Sequence, residues 1–233
     1  VADVANFCNL LTHHSPLTWV LTGDSITHGA RHTNGQRSYP ELLIEVVRGE
    51  LRRFRDAFIN TAVSGDRISD INSDFTHRVA RWQPDIVTLM IGTNDCATND
   101  DFPRVEVDEF ANQVDDFVLK SHEVSAVVVL QTPPPVDTAN APERERIAEF
   151  AHAIRSIARA RKTFLVDHHD AFIRMGGHMF PWALLDDPFH PGALGHAAIA
   201  VELARELGIK ETPVVSRLRH QLGARGLSCP PLT

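Results

Sequence analysis

The sequence predicts a three-layer α/β/α sandwich, and three observations carry that prediction. Five strand-sized apolar runs recur along the chain, helix-period segments alternate with them, and each of the first three runs ends in a small polar cluster. Strands that alternate with one-sided helices pair in parallel through right-handed crossovers, so helices cover both faces of the sheet. In such a sheet the working face lies outside the carboxyl ends of the strands.

The expected strands are residues 17–22, 57–63, 85–91, 124–131 and 163–167. Between the first two, Tyr39, Leu42, Leu43, Val46, Val47, Leu51 and Phe54 share one helical face, which predicts a helix over 39–54. Ile68, Ile71, Phe75, Val79 and Trp82 predict a second helix over 68–82. Val107, Phe110, Ala111, Val114 and Phe117 mark a third, and Ile147, Phe150, Ala151, Ile154 and Ile157 a fourth. Leu194, Ala197, Ala198, Val201, Ala204 and Leu207 form the last stripe, with Gly208 placed to end it. At the ends, Val4, Phe7, Cys8 and Leu11 read as a short capping helix. Val214, Val215, Leu218 and Leu222 beside Arg217, Arg219 and Arg225 read as a docked helix with a solvated basic face, an oligomer contact being the alternative.

The 233 residues are 43% hydrophobic, enough for one domain over 1–233 with its core at about 17–208. A net charge of −7 without a basic stripe argues against nucleic acid as a partner. No apolar run approaches the ~18 residues of a membrane span. Cys8, Cys96 and Cys229 are odd in number and widely spaced, which predicts reduced thiols or at most one bridge. The cytoplasm is therefore the favoured compartment, and secretion after leader removal stays open because the chain begins at Val1.

The strand-end clusters are Gly23-Asp24-Ser25, Val63-Ser64-Gly65-Asp66 and Gly92-Thr93-Asn94-Asp95. A fourth polar segment, Asp187-Pro188-Phe189-His190-Pro191, precedes the last helix and can reach the same rim. Acyl transfer from an ester needs a hydroxyl nucleophile, a base, a carboxylate to orient the base, and donors for the oxyanion. Ser25, in a tight turn that Gly23 permits, offers the hydroxyl, although a serine in a turn also serves as a cap. His190 is the candidate base. Asp187, three residues earlier, suits its Nδ1–H better than the competing Asp186. The oxyanion donors are then the backbone N–H groups of Ser25 and Gly65 and the side-chain amide of Asn94. No cofactor or metal is called for.

Gly-Asp-Ser-Ile-Thr at 23–27, Gly-Thr-Asn-Asp at 92–95 and Asp-x-x-His at 187–190 together resemble the SGNH hydrolases, also called GDSL-type esterases. The family's four landmark residues correspond to Ser25, Gly65, Asn94 and His190 in chain order, over about residues 17–208. The resemblance implies a flavodoxin-like five-stranded sheet of order 2-1-3-4-5 and the roles just assigned. One departure is Ile26, where the family usually has leucine. The absence of G-x-S-x-G, and a nucleophile after the first strand, separate the chain from an α/β-hydrolase elbow.

Other reactive side chains have blander readings. His28, His32, His168 and His169 lack metal-ligand spacing and read as structural or surface residues, and His196 as a packed or exposed helix residue. Cys96 has no base of its own, Asp24 and Asp95 hold their turns through local N–H groups, and Met90 belongs to the core. The polar loop 28–38, if it borders the cleft, suits a hydroxylated or charged leaving group, while Met179, Phe180, Trp182 and Phe189 read as an apolar acyl pocket or sugar platform, with core or lid as an equal alternative. The expected substrate contacts are His28, Trp182 and Phe189, and the expected substrate is a short-chain, acetyl-type ester of a polar or carbohydrate alcohol. Lysophospholipase, thioesterase or acyl-transferase chemistry at the same site is the alternative. A non-catalytic carbohydrate-binding module is disfavoured by the intact set of Ser25, Asn94, Asp187 and His190.

Overall fold

The computed structural model describes residues 2–12, 15–176 and 183–232. Five strands, β1 (Thr18–Gly23), β2 (Ala57–Asn60), β3 (Ile86–Met90), β4 (Val127–Gln131) and β5 (Phe164–Val166), form one sheet. Their order is β2-β1-β3-β4-β5 and every pairing is parallel. This is the arrangement that the alternating pattern and the family resemblance called for. The order reverses between β1 and β3, so the chain leaves β1 toward one edge and returns beside it at β3, opening a crevice over their ends.

Alternation along the strands divides the core in two. Trp19, Leu21, Ile86, Met90, Val127 and Val129 face one layer, with α3 (Tyr39–Glu45), α9 (Ala193–Glu206) and α10 (Pro213–Gly223) packed on them. Val20, Val87, Leu89, Val128 and Leu130 face the other, under α4 (Ile68–Ser73), α6 (Val107–Glu123) and α7 (Ile147–Arg161). Strands buried on both faces are apolar at nearly every position, which is why they read as continuous runs. Each fully buried aliphatic side chain stabilises the fold by about 1.5–3 kcal/mol. The N-terminal helix α1 (Ala2–Thr12) inserts Phe7 edge-on against Trp19 and Phe164, with ring centroids 5.9 and 5.5 Å away.

Local signals set the helix ends. The N–H of Ser38 donates to Glu41, and Pro40 lies in the first turn, which starts α3 cleanly. Thr212 accepts from Val215 N–H and Pro213 opens α10, whose Val214, Val215, Leu218 and Leu222 are buried. Gly208, at φ +69°, follows the end of α9 as expected.

Two predicted helices are shorter than their apolar stripes. The 39–54 stripe leaves α-helical geometry at Val46, loosens into a π-turn over Val46–Glu50 and stops near Arg52, which is left-handed. Phe54 therefore lies beyond the helix and is 69% exposed, not on its buried face. The 68–82 stripe breaks at Asp74 and Val79 into α4, α5 (Phe75–Arg78) and a 3₁₀ turn, Ala80–Trp82. Its apolar residues except Trp82 stay buried, while Trp82 is 38% exposed beneath the Arg81 guanidinium. The second strand stops at Asn60, short of the expected 63, and Val63 is exposed. His168 and His169 are not extended: they open α8 (His168–Gly176), and both are buried.

Gly23 ends β1 at φ +151°, and a Cβ there would lie 2.2 Å from the Met90 carbonyl oxygen. Gly23→Ala is expected to lower unfolding stability by about 2–3 kcal/mol or more, since neither the backbone angle nor the facing carbonyl tolerates a methyl group. Urea unfolding measures it, and an unchanged midpoint would contradict this account of the strand end.

Candidate active site

The rim above β1, β2 and β3 collects the polar clusters. Asp24 is the N-cap of a one-turn helix α2 (Ser25–His28), its Oδ1 accepting from Ile26 N–H at 3.0 Å. That cap turns the chain sharply and leaves Ser25 at the first helical position, where a backbone N–H has no intrahelical partner. After β2 the chain reaches Gly65 at φ +92°, and a Cβ there would point into open space. The constraint at Gly65 is the backbone angle, with the cleft in front of it. After β3, the Asn94 amide donates to the Asp66 carbonyl at 3.0 Å, which uses one of its two hydrogens and ties the third strand end to the second.

The turn before α9 brings the remaining groups. Asp187 Oδ1 accepts from the N–H groups of Phe189 (2.9 Å) and His190 (2.7 Å), and its Oδ2 lies 2.7 Å from His190 Nδ1. A carboxylate only accepts, so His190 carries its proton on Nδ1 and presents a lone pair at Nε2. Nε2 lies 2.9 Å from Ser25 Oγ. Asp186, the competing carboxylate, instead pairs with His32 Nδ1 at 3.0 Å and accepts from the Asn34 amide at 2.7 Å.

Burial pulls the His190 imidazole below its usual value, against the hydrogen bond and charge of Asp187, which raise it. Asp187 lies below the usual carboxylate range: desolvation opposes this, but the two N–H donors and His190 outweigh it. Both act in the sense a neutral base beside an ionised carboxylate needs. Beneath them, burial pushes Asp24 and Asp95 each up to about 7. Asp95 bonds its own backbone N–H, as expected, and does more than hold its turn. Its Oδ1 reaches across to accept from Ile68 N–H at the start of α4.

Ser25, Gly65, Asn94, Phe189 and His190 all line one cleft of about 540 Å³, together with Ala30, Arg31, His32, Ser64, Phe102 and Arg144. A larger groove of about 640 Å³ between α3, α9 and α10 contains none of the strand-end groups. Convergent polar groups, and not volume, mark the cleft as the candidate site. Expected contact His28 does not line the cleft: its Nδ1 accepts from Ser64 N–H at 3.3 Å and pairs with the Ser64 hydroxyl at 3.1 Å, bracing the turn that leads to Gly65. Trp182, with Met179 and Phe180, lies outside the described residues.

Arg144 and Arg67, which the sequence reading passed over, and His32, which it took for a structural or surface residue, belong to the site's surroundings. Arg144 is buried with its guanidinium 3.6 Å from the Phe189 ring centroid, holding that aromatic wall from behind. Arg67 donates to the carbonyls of Asn94 (3.1 Å) and Ala97 (3.3 Å) and covers the Phe102 ring. His32 stacks on His190. The sequence carried no spacing signal for the arginines; only the polarity of loop 28–38 hinted at His32. The other tempting groups are packed. His196 accepts from Tyr39 N–H at 3.2 Å and burial pulls it down to about 4, and His168, pulled down to about 3, pairs with Gln131. Cys96 is fully buried and pushed up to about 12, a thiol without nucleophilic character.

Titrating His190 by NMR is expected to give a midpoint below ~6.5, because burial dominates. Asp187→Asn should move the midpoint lower still, since the substitution removes the two influences that raise it. A midpoint that rises in the variant would contradict the pairing.

The comparisons with known proteins agree with this fold. An acetylxylan esterase of Geobacillus stearothermophilus is 28% identical over 181 residues, covering 75% of this chain and 77% of the relative. A crystal structure of an acetylxylan esterase from that organism superposes with a TM-score of 0.74 at 25% identity, covering 83% of this chain and 95% of the other. An alpha/beta hydrolase enzyme from the metagenome of Lake Arreo, Spain, superposes with a TM-score of 0.74 at 26% identity, covering 85% and 99%. No described helix is long and apolar enough to cross a membrane. The family model of the GDSL-like lipase/acylhydrolase family matches residues 21–198, so the chain belongs to that family and is a carboxylic ester hydrolase.

Proposed function

We propose that the chain removes short acyl groups, acetyl above all, from esters of a polar or carbohydrate alcohol, through an acyl-enzyme on Ser25. The observation that carries this reading is the continuous line from Ser25 Oγ to His190 Nε2 at 2.9 Å and from His190 Nδ1 to Asp187 Oδ2 at 2.7 Å. Ser25 Oγ attacks the ester carbonyl as its proton passes to Nε2. Asp187 then faces an imidazolium and stabilises it. The carbonyl oxygen becomes an oxyanion, met by the N–H groups of Ser25 and Gly65 and by the Asn94 amide hydrogen not used on Asp66. Collapse of the tetrahedral species breaks the bond to the alcohol, which leaves with the proton from Nε2. Water, deprotonated by the same nitrogen, then attacks the acyl-serine, releases the acid and restores Ser25.

The substrate class rests on the cleft and on the relatives. Phe102 and Phe189 give it two apolar walls, while Arg31, His32 and Ser64 keep its rim polar. A small acyl group fits between the former and a hydroxylated alcohol against the latter. The similar proteins described as acetylxylan esterases point the same way. The cysteines stand as free thiols, which suits the reducing cytoplasm that their spacing favoured.

Ser25→Ala is expected to lower kcat on the order of a millionfold and to abolish labelling by a fluorophosphonate. Asp187→Asn should cost about ten-thousandfold, less than His190→Ala, and the losses should not multiply because the three act as a unit. Label found on another residue of the wild-type protein would end this assignment. With acetate, butyrate and octanoate esters of one alcohol, kcat/KM should fall with chain length, and acetylated xylo-oligosaccharides should be turned over. Preference for octanoate would replace the short-acyl reading with a lipase or lysophospholipase one.

A further inference from the structure

His32 belongs to the polar loop between α2 and α3, and three features of its placement converge on His190. Its imidazole lies parallel to that of His190, with centroids 3.9 Å apart and planes at 4°. Its Nδ1 lies 3.0 Å from Asp186 Oδ2 and 3.6 Å from Asp187 Oδ2. Asn34 holds the other Asp186 oxygen. The loop adopts left-handed backbone at both residues, φ +66° at His32 and +52° at Asn34, a conformation that non-glycine side chains rarely take. Strained backbone that delivers two side chains to one carboxylate beside the base is over-determined by its surroundings.

The ligand atoms of His32, Asp187 and His190 are close enough for a shared cation, all within 4.8 Å of one another. The stack argues against that use. Imidazole lone pairs lie in the ring plane, and two parallel planes cannot both aim at one ion between them. What the stack can do is present the face of one ring to the other.

We propose that His32 is a positioning residue for the base: its ring, tied down by Asp186, is the flat wall against which His190 stays aligned between Ser25 and Asp187. The proposal rests on the acyl-transfer reading of that site. Asp186 can only accept, so a neutral His32 carries its proton on Nδ1 and faces His190 with an uncharged π surface. When His190 takes the serine proton it becomes a cation over that surface, a favourable arrangement in a half-buried site. A proton on His32 reverses the sign, because two stacked imidazoliums repel. The charged and titratable groups around the pair are Asp186, Asp187, Arg144 and His196; at His190 the Asp187 carboxylate and the Arg144 guanidinium act in opposite senses.

Two variants test the role without straining the loop. His32→Gly keeps the left-handed backbone and removes the ring; His32→Asn also tolerates that backbone and keeps a donor for Asp186. Both are compared with wild type for kcat and KM on an acetyl ester across pH, for melting temperature, and for fluorophosphonate labelling at Ser25. The expected result is a fall in kcat of about tenfold in both, with KM within about twofold. In His32→Gly the acid limb of kcat/KM should also move toward neutral pH, since Asp186 is left uncompensated beside a more hydrated His190. Wild-type kcat and an unmoved limb in both variants overturn the role. So does a raised KM with unchanged kcat, which makes His32 a substrate contact. Labelled wild-type enzyme with unaffected variants overturns the role of His32 alone; wild-type enzyme that is not labelled at Ser25 overturns the acyl-transfer reading with it.

Discussion

A parallel sheet gathers the carboxyl ends of its strands on one edge, and here that edge carries Ser25 from β1, Gly65 from beyond β2 and Asn94 from beyond β3. Because β1 is flanked by β2 and β3, these are the three neighbouring ends at the point where the strand order reverses. A ligand lying over that point meets all three at once. The rest of the fold holds this edge in place. Two apolar layers press on the sheet from opposite sides, Gly23 lets β1 end flush against β3, and buried Asp95 ties the third strand end to α4.

The proposed base is supplied differently. His190 comes from no strand, so its placement depends on the turn 186–190 being rigid. Asp187 provides that rigidity by closing on two N–H groups of its own turn while holding the imidazole with its second oxygen. One carboxylate thus fixes both the loop that carries the ring and the tautomer of the ring. Its neighbour Asp186 does equivalent work on loop 28–38 through His32 and Asn34. Adjacent acids thus serve two loops.

How much of this was legible in the sequence depends on the range of the cause. The inner strands β1, β3 and β4 were readable because burial on both faces makes them largely apolar, and the strand-end motifs because each is a short string with its own turn chemistry. Asp187 was separable from Asp186 by its offset from His190. The helix breaks at Asp74 and near Arg52 were not readable, since the apolar stripe runs on past both and only the backbone departs. Phe54 and Trp82 were misjudged for that reason. Arg144, Arg67 and the stacking of His32 depend on loops meeting across long stretches of chain, and no local pattern records such a meeting. His28 illustrates the converse: polar and adjacent to the nucleophile's helix, it turns to Ser64 and stays out of the cleft.

The hydroxyl and the imidazole that meet at 2.9 Å are 165 residues apart. One leaves the first strand of the sheet; the other waits on the final turn before α9. In chain order the serine therefore leaves the ribosome long before the imidazole that meets it is made. On the acyl-transfer reading proposed for this site, a chain that stops before the turn 186–190 holds the hydroxyl without its base. On that same reading, the topology withholds reactivity from the hydroxyl until the turn before α9 has been made.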